Sequence, residues 1–421
     1  MKRRSIIQVF EHQMLKAGHS YQGVVFTAQH LVAMEKLYGE KGVPFFSLVY
    51  NGVRFCEFVG ALQVGNLLIQ VLPKADRSND TARWNKVLLG MLRAVRGFDV
   101  LAPSSSGLKL KSNSVLDLYF ELFVNETQEL LHRGLIRAYR REEGNCTALR
   151  GRLMFGKNLR QNLVHEERFY TQHSVYDRDT TINQLLLKTL RLLLAINTSI
   201  ELQGRISGLL LQFPELSDIA VTEALFNRIT FTRKTEPYRR AIGIARLLLL
   251  NYHPDVNLGQ NDVLALMFDM NLLWEKFVYV SLRKHAAECL LLKSLSEQVE
   301  KDFWQPPKGK QTQLKPDIVL TLVNGEQVVL DTKWKNLQGS NPSAEDLRQL
   351  YTYSRFHQNA NAALVYPGET MEVFIGKFLD KGNAKCGVLI AGTNESMSGW
   401  QHAIAKHVFN SGLFPKDMAL N

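Results

Sequence analysis

Short apolar segments separated by turn residues dominate the first part of the chain. Between Phe45 and Asp76, the pairs Asn51-Gly52 and Gly65-Asn66 divide the sequence into short apolar runs. Such spacing is typical of short β-strands joined by tight turns. An amphipathic helix follows from Trp84 to Arg96, because apolar residues recur there every three or four positions. We therefore predict a β-rich N-terminal domain over residues 1–113.

The next segment follows a helical pattern. From Val115 to Glu142, apolar residues recur near every third or fourth position, and Gly134 is a candidate interruption. A further helix is predicted to start at Asp179 or Thr180, because either side chain can cap it. These patterns predict a mostly helical middle region over residues 114–258.

Helical and strand patterns alternate in the last segment, residues 259–421. The stretch from Leu264 to Ala286 predicts a helix, and two apolar runs around Asn324-Gly325 predict a hairpin. A second helix from Ala344 and a buried strand from Ala362 to Pro367 follow. The predicted buried stripe of the first helix consists of Met270, Leu273, Trp274 and Phe277. This order of helix, strands, helix and strand predicts an α+β domain, so the fold class of the whole chain is predicted to be multidomain α+β.

The predicted hairpin, Leu314 to Lys335, carries two acids and a lysine near the ends of its strands. Asp317 opens the first strand, Asp331 closes the second, and Lys333 follows two residues later. Because side chains alternate along a strand, Asp331 and Lys333 share one face. Burying these charges beside apolar strands is costly unless they are paired or hold a metal.

The length of the turn decides whether the two acids meet. A two-residue turn would place Asp317 on the opposite face from Asp331. A three-residue loop, Val323 to Gly325 with the glycine left-handed, instead pairs Leu322 with Glu326. The acids then lie directly opposite each other, with Cβ atoms about 5 Å apart. We predict this three-residue loop, or a bulge that restores its register.

Two clustered carboxylates suit Mg²⁺, which prefers oxygen ligands and keeps waters and substrate phosphate in its shell. A neighbouring lysine can orient the attacking water and balance charge on the phosphate. The pattern Asp-x(n)-Asp-x-Lys is that of the PD-(D/E)xK nucleases, which have an αβββαβ restriction-endonuclease-like core. The alternative is a surface hairpin with an ion pair, since Asp-x-Lys often arises by chance.

The charge of the chain favours a polyanionic partner. The sequence has 51 Lys and Arg against 40 Asp and Glu, a net charge of +11 and a pI near 9.4. Basic residues cluster between Arg133 and Arg160, and contacts from such clusters to phosphates position a duplex without reading its sequence. The alternative is a solvated helical face. The candidate DNA-binding residues are Arg137, Arg140, Arg141, Arg150 and Arg152.

Several other classes of protein are not supported by the sequence. A mean hydropathy of −0.13 and the absence of an apolar run of about 20 residues argue against a membrane span. The N-terminus lacks the apolar core of a signal peptide, so we expect a cytoplasmic protein. The four cysteines are widely scattered, which does not predict a zinc site or a disulfide framework. No G-x-x-x-x-G-K-[ST] sequence is present, so no nucleotide-hydrolysing site is predicted in this chain.

Several stretches, spread over nearly the whole chain, resemble the McrC family, the nuclease subunits of GTP-dependent McrBC modification-dependent restriction systems. They are VGALQVGNLLIQVLPKAD, LRGRLMF, VYDRDTTINQLL, MNLLWEKFV, LKPDIVL, VVLDTKWK and DLRQLYTYS. The last four carry the nuclease motifs in the order found in the family. The resemblance implies that Asp317 and Asp331 bind the metal and that Lys333 is the catalytic lysine. It also implies that Glu275 and Gln349 match a helix acid and a following-helix glutamine of related nucleases.

The resemblance also implies a cofactor and partners. Mg²⁺ would be held by Asp317, Asp331 and the Thr332 carbonyl, and would support hydrolysis of a DNA phosphodiester. A hexameric AAA+ GTPase of the McrB type would bind the GTP, translocate on double-stranded DNA and recognise methylated cytosine. The N-terminal domain of this chain would insert into that hexamer and stimulate its GTPase activity. Two alternatives remain open: a catalytically inactive assembly factor that activates the GTPase, and a stand-alone DNA or RNA nuclease.

Overall fold

The computed structural model describes residues 5–40, 42–75, 79–95, 114–253, 262–337, 341–379, 383–393 and 396–414. The predicted domain boundaries after residues 113 and 258, and the predicted helix end at Arg96, lie outside the described residues. Helices and strands are mixed within these ranges, so the predicted α+β class is confirmed.

The described residues form eleven α-helices. Nine of these helices begin at a Ser, Thr or Asp side chain that accepts a free N–H group of the first turn. None of the helices in the described ranges is long and apolar enough to cross a membrane. They are α1 (Ala28–Tyr38), α2 (Thr81–Val95), α3 (Val115–Arg133), α4 (Phe155–Asn162), α5 (Thr181–Ile196), α6 (Ile200–Gln212), α7 (Glu223–Asn227), α8 (Arg239–Leu250), α9 (Met270–Lys284), α10 (Ala344–Phe356) and α11 (Met397–Phe409).

The strands are mostly short. They are β1 (Ser5–Phe10), β2 (Met14–Lys16), β3 (Ser20–Tyr21), β4 (Val24–Val25), β5 (Phe46–Val49), β6 (Gly52–Phe55), β7 (Phe58–Val64), β8 (Leu67–Leu72), β9 (Ala138–Cys146), β10 (Arg152–Leu153), β11 (Phe169–Asp177), β12 (Tyr252–His253), β13 (Val263–Asp269), β14 (Leu292–Glu297), β15 (Lys301–Trp304), β16 (Thr312–Leu314), β17 (Ile318–Leu322), β18 (Gln327–Thr332), β19 (Asn361–Gly368), β20 (Glu372–Lys377) and β21 (Lys385–Gly392). Single 3₁₀ turns occur at Glu236–Tyr238 and Ala286–Glu288.

The chain packs as two compact units that interleave along the sequence. The middle unit contains the described residues of Met1–Ser5, Gln63–Asn66 and Lys111–Leu266. The terminal unit contains those of Ile6–Leu62, Leu67–Leu110 and Met267–Asn421. Most of the N-terminal strands therefore belong to the same unit as the C-terminal segment. The division into three functional domains stays a prediction, because packing into units does not test which segment carries which function.

A six-stranded sheet organises the C-terminal part of the terminal unit, in the order β14-β17-β18-β19-β21-β20. Strands β14, β17 and β18 are antiparallel neighbours, whereas β18, β19 and β21 run parallel. Helix α10 lies in the connection between β18 and β19, as a parallel pair requires a crossover. The elements of the sheet and its helices thus run helix, three antiparallel strands, helix and parallel strand.

Apolar side chains hold α10 against this sheet. Leu350 and Tyr353 of α10 belong to one buried cluster with Val329, Leu364 and Val388 of the strands. The run of apolar residues along β18 and β19 is nearly continuous, as expected for strands that are buried on both faces. This packing fixes the helix that carries Gln349.

Aromatic rings fix α9 in the same unit. The Trp274 ring lies 5.7 Å from that of Trp400 on α11 and 5.5 Å from that of Trp334. Trp84 of α2 lies 6.4 Å from Trp334 in an edge-on arrangement. The predicted buried stripe of α9 is confirmed, since Met270, Leu273, Trp274 and Phe277 are all buried.

The helix predicted from Val115 to Glu142 is wrong beyond Arg133. Helix α3 ends there, and Gly134 takes a φ of +87°, which a glycine adopts without strain. The chain then forms β9, which pairs antiparallel with β11 in a three-stranded sheet, β10-β11-β9. Pairing with a strand more than twenty residues away overrides the local helical pattern, because strand formation depends on such neighbours. The middle region is therefore mixed, with helices α3 to α8 and a sheet.

The helix predicted from Leu264 to Ala286 also starts later than expected. Residues Val263–Asp269 form strand β13, and Asp269 caps α9 by accepting the N–H groups of Asn271 and Leu272. A short apolar run is compatible with either a buried strand or a helix, so the pattern alone did not locate the boundary. The helix start predicted at Thr180 is confirmed, because its hydroxyl accepts the Asn183 N–H.

Candidate active site

The hairpin formed by β17 and β18 has the register predicted from its turn length. The Leu322 N–H donates to the Glu326 carbonyl at 2.8 Å, which leaves a three-residue loop. Gly325 in this loop takes a left-handed φ of +86°. Continuing the ladder by one residue sets Asp317 directly opposite Asp331, so the two acids face the same side of the hairpin.

Asp331 is fully buried beneath the site. The Lys333 Nζ lies 2.7 Å from its Oδ2, which makes an ion pair. The geometry of this contact is not that of a hydrogen bond, and no other described residue donates a hydrogen bond to either carboxylate oxygen. Burial and the nearby charge of Asp317 raise the pKa of Asp331 to about 7, and the attraction of Lys333 only partly offsets this. The positive charge of Lys333 alone therefore does not fully compensate the ionised form of this acid.

Asp317 is half-buried and held by its neighbour on the opposite strand. Its Oδ2 accepts the Thr332 backbone N–H at 2.6 Å and the Thr332 hydroxyl at 2.8 Å. Thr332 was predicted as a ligand through its carbonyl, and its other two polar groups orient Asp317. The carbonyl ligand itself stays a prediction.

Glu275 of α9 borders the same acids. Its side chain is 5% exposed, and its Oε1 accepts a hydrogen bond from Gln298 Nε2 at 2.9 Å. Burial raises the pKa of Glu275, and the charge of Asp317 raises it further. The helix thus brings a third carboxyl group to the site.

Gln349 of α10 holds Lys333 from the other side. Its Oε1 accepts from Lys333 Nζ at 3.0 Å, and its Nε2 donates to the Tyr353 hydroxyl at 2.8 Å. Burial lowers the pKa of Lys333, but the charges of Asp331, Asp317 and Asp346 outweigh this effect and raise it. The lysine is therefore a protonated group held between two acceptors.

The site gathers more negative than positive charge. The charge of Asp317 raises the pKa values of both Glu275 and Asp331. Lys333 is the cation paired with Asp331. The unsatisfied oxygens of Asp331 and the raised pKa values of two acids indicate a need for further positive charge. A hard divalent cation such as Mg²⁺ fits this all-oxygen donor set. With a protonated lysine beside it, the arrangement suits chemistry on a phosphate group.

Two residues near Lys333 were missed by sequence reasoning. The Trp334 indole N–H donates to Glu11 Oε1 at 2.9 Å, and the same oxygen accepts the Lys74 N–H at 2.8 Å. Burial raises the pKa of Glu11, although these hydrogen bonds oppose the shift. The position of Trp334 next to Lys333 could have drawn attention to it. Nothing in the sequence links Glu11 to a residue 323 positions later.

The candidate DNA-binding arginines belong to the other unit. Arg140 on β9 is engaged by two acids, with Nε 2.8 Å from Asp177 Oδ2 and an Nη atom 3.2 Å from Glu142. The remaining four candidates, Arg137, Arg141, Arg150 and Arg152, are exposed. They lie on or beside the strands of the sheet β10-β11-β9, whereas the sequence had placed Arg137, Arg140 and Arg141 on a helix.

A family model described as "McrBC 5-methylcytosine restriction system component" matches residues 53–367 of the 421 residues. The chain therefore belongs to this family, and the resemblance to McrC drawn from its motifs is confirmed.

The two relatives described next are distant in sequence. The type IV methyl-directed restriction enzyme EcoKMcrBC of Escherichia coli (strain K12) is 23% identical over 181 residues, which cover 42% of this chain and 51% of that protein. The chain thus spans about half the length of this curated relative. A chain in the refined half-complex from the tetradecameric assembly of Thermococcus gammatolerans McrB AAA+ hexamers with bound McrC is 21% identical. It superposes with a TM-score of 0.66 over 96% of this chain and 100% of that one, which shows a shared fold.

Proposed function

We propose that this chain is the DNA endonuclease subunit of a GTP-dependent, modification-dependent restriction system. The observation that carries the proposal is the hairpin register, which places Asp317 opposite Asp331 and leaves Lys333 beside the buried acid. Membership of the McrBC family supports a role in restriction. The order of α9, three antiparallel strands, α10 and a parallel strand supports a restriction-endonuclease-like domain of the PD-(D/E)xK type.

The residues that would hold Mg²⁺ are Asp317, Asp331 and the Thr332 carbonyl. Bound Mg²⁺ would stabilise the negative charge that develops on the phosphate oxygens. Asp331 Oδ1 accepts no hydrogen bond from a described residue and would be available as a ligand, whereas Oδ2 lies 2.7 Å from Lys333 Nζ. The N–H and hydroxyl of Thr332 fix the orientation of Asp317, as groups behind a ligand commonly do.

Lys333 would position the attacking water and balance charge on the phosphate. Its Nζ is held by Asp331 on one side and by Gln349 on the other, so it is already placed before substrate binds. Because the neighbouring acids raise its pKa, Lys333 would act as a protonated donor and not as a general base. Glu275 would complete the acidic wall of the site.

The proposed partners are double-stranded, methylated DNA and a McrB-like AAA+ GTPase. The Thermococcus gammatolerans structure that shares this fold contains McrB AAA+ hexamers with bound McrC, which supports a similar partner here. The partner would bind the GTP and read the methylated base, and residues 1–113 of this chain would contact it. Exposed arginines of the middle unit would contact DNA phosphates without reading sequence.

Cleavage assays with paired variants test this proposal. Wild type, Asp331→Asn and Asp302→Asn would each be incubated with methylated DNA and Mg²⁺, with and without the neighbouring GTPase and GTP. Asp302 is an exposed acid of the same unit, so Asp302→Asn makes the same chemical change away from the site. We expect cleavage by wild type and Asp302→Asn with partner and GTP, and none by Asp331→Asn.

The alternatives give different results in the same assay. Cleavage by wild type without the partner would identify a stand-alone nuclease. Equal cleavage by wild type and Asp331→Asn would exclude this site as the catalytic centre. If no variant cuts DNA while all stimulate GTP hydrolysis, the chain is an assembly factor and the endonuclease proposal is wrong.

A further inference from the structure

A second group of metal-binding side chains lies at the C-terminal end of α9. His285 follows the last helical residue, Glu288 lies three residues further on, and His402 comes from α11. One ligand atom from each residue lies within 4.8 Å of the other two. None of these residues contributes to the acidic site described above.

The distances within this group resemble the edges of a metal tetrahedron. His402 Nδ1 lies 3.5 Å from His285 Nδ1 and 3.5 Å from Glu288 Oε2. Ligands about 2.0–2.1 Å from Zn²⁺ in a tetrahedron are separated by about 3.3–3.4 Å. The other carboxylate oxygen, Glu288 Oε1, lies 2.6 Å from His285 Nδ1, which is a hydrogen-bond distance, and a rotation of the carboxylate would let one oxygen face both imidazoles. The three donors can therefore meet one ion without a rearrangement of the backbone.

The two helices that carry the ligands are held in place by aromatic packing. Phe277 of α9 lies 4.7 Å from the Trp400 ring of α11, and Trp274 lies 5.7 Å from the same ring. Trp400 is two residues before His402, so this contact holds the part of α11 that carries His402 against α9. His285 is 13% exposed, whereas Glu288 and His402 are about half exposed. An ion would thus reach a prepared site directly from solvent.

The donor set separates this group from the acidic site. Imidazole nitrogens favour Zn²⁺ and related transition metals, whereas Mg²⁺ prefers oxygen ligands. His285 lies ten residues after Glu275, and at 1.5 Å per residue this corresponds to about 15 Å along α9. A single ion cannot be shared over such a distance.

We propose that His285, Glu288 and His402 bind one transition-metal ion, Zn²⁺ by its chemistry, that joins the end of α9 to α11. Two histidines and a glutamate leave one position of a tetrahedron for water. Because α9 also carries Glu275, the ion would stabilise the helix that forms one wall of the candidate active site. The alternative is that Glu288 only accepts hydrogen bonds from the two imidazoles.

Titration with Co²⁺ separates these two possibilities. The full-length protein, freed of metal and of any affinity tag, would be titrated with Co²⁺ and then with Zn²⁺. We expect one Co²⁺ per chain with the visible absorption of a tetrahedral site, displaced by Zn²⁺, and a higher unfolding temperature with Zn²⁺ bound. The His402→Ala variant should bind Co²⁺ at least tenfold more weakly, since even losing a group behind a ligand costs about 10–100-fold.

Two controls assign the binding to this group. His407→Ala removes another imidazole from α11 outside the group and should leave Co²⁺ binding unchanged. Asp331→Asn should also leave it unchanged, because its acid belongs to the other site. Absence of Co²⁺ binding by wild type, or binding by His402→Ala equal to that of wild type, would overturn the proposal. Loss of binding in Asp331→Asn would assign the ion to the acidic site and would equally overturn it.

Discussion

Two ion pairs in this molecule each join a basic side chain to an aspartate, but one pair is buried and the other is partly exposed to solvent. Lys333–Asp331 lies in the candidate active site, where the side chains are 23% and 1% exposed. Arg140–Asp177 lies on the sheet β10-β11-β9 of the middle unit, called the basic sheet below, and its side chains are 39% and 28% exposed. Buried charges cost several kcal/mol unless they are paired, whereas exposed pairs contribute about 0–1 kcal/mol. The free-energy cost of burying the charge of Asp331 is explained if that charge has a function.

The comparison also shows why the two regions differ in how clearly sequence predicts them. Burial of Asp331 follows from its place at the end of an apolar strand, so its chemistry is tied to the fold. Exposed arginines are tolerated almost anywhere on a surface, so their number alone carries little information about a partner. Experiments that break each pair should therefore give effects of very different size.

The largest effect is expected for Lys333→Gln. Activity in the cleavage assay should fall on the order of a thousandfold, because several kcal/mol of stabilisation of the reacting phosphate is lost. Stability should fall by about 3 kcal/mol, since Asp331 remains buried without its partner. Urea denaturation measures this change, and Lys333→Gln combined with Asp331→Asn should restore much of the stability but no activity. If Lys333→Gln is as stable as wild type, the Lys333–Asp331 pair contributes less to the free energy of unfolding than its burial suggests.

A second buried polar group should make the terminal unit sensitive to acid. His357 is 1% exposed at the end of α10, its Nδ1 lies 2.9 Å from Gln327 Oε1, and its Nε2 has no partner among the residues described. Burial, together with Lys301, lowers the pKa of His357 to about 4. The unfolded chain therefore binds the proton more readily, and stability is lost as the pH falls from the ordinary value of about 6.5 towards 4.

The expected loss from this residue is about 2 kcal/mol between pH 7 and pH 5. Denaturant unfolding at both pH values measures it. In His357→Gln the difference between the two pH values should shrink by this amount, whereas in His165→Gln, an exposed histidine, it should not. An unchanged difference in His357→Gln would mean that the buried imidazole is not the acid-sensitive group.

A smaller effect is expected at the hydrogen bond between Trp334 and Glu11. Trp334→Phe keeps the aromatic packing on Trp274 but removes the indole donor, so the segment that carries Lys333 is held less firmly. A hydrogen bond to a buried, charged group contributes about 1.5 kcal/mol. We expect kcat to fall by at most roughly tenfold, which is the effect if all of this energy is lost from the transition state. Because Trp334 would position Lys333 and not bind DNA, KM should change little.

The same substitution elsewhere serves as the control for this prediction. Trp304 is 56% exposed on β15, so Trp304→Phe should leave kcat unchanged. A rise in KM with constant kcat in Trp334→Phe would place this residue in DNA binding and contradict a positioning role. Glu11→Met removes the acceptor oxygens, so it should lower kcat at least as much as Trp334→Phe, and the double variant should be no worse than Glu11→Met.

Particular elements show what the sequence could predict and where it could not. The spacing of Asp317 and Asp331 around a glycine-containing turn predicted the register, because hairpin geometry is local. Caps at Thr180 and the apolar stripe of α9 were predicted for the same reason. Local spacing therefore predicted correctly that Asp317 and Asp331 lie opposite each other.

Contacts between distant segments were beyond such reasoning. Strand β9 was predicted as helix because its partner, β11, is set by tertiary structure and not by its own sequence. Glu11 was missed because its partner lies in another segment of the chain, and Gln298 because it reaches Glu275 from a turn after β14. Mg²⁺ was inferred from the clustered carboxylates and DNA from the net charge, each together with the motif resemblance, and the GTPase from the resemblance alone. All three stay predictions.

The smallest effects should come from the basic sheet, and they sharpen the comparison. Arg140→Gln breaks exposed pairs with Asp177 and Glu142, so unfolding free energy should change by less than about 1 kcal/mol. In Arg141→Gln/Arg152→Gln, DNA binding should weaken equally for all sequences, and the slope of log affinity against log salt should fall by about 2. Arg140→Gln should change that slope less, because the Arg140 guanidinium is already paired with Asp177 and Glu142. If Arg140→Gln lowers the slope more than the double variant does, Arg140 leaves its acids to bind DNA, and this exposed pair is functional like the buried one.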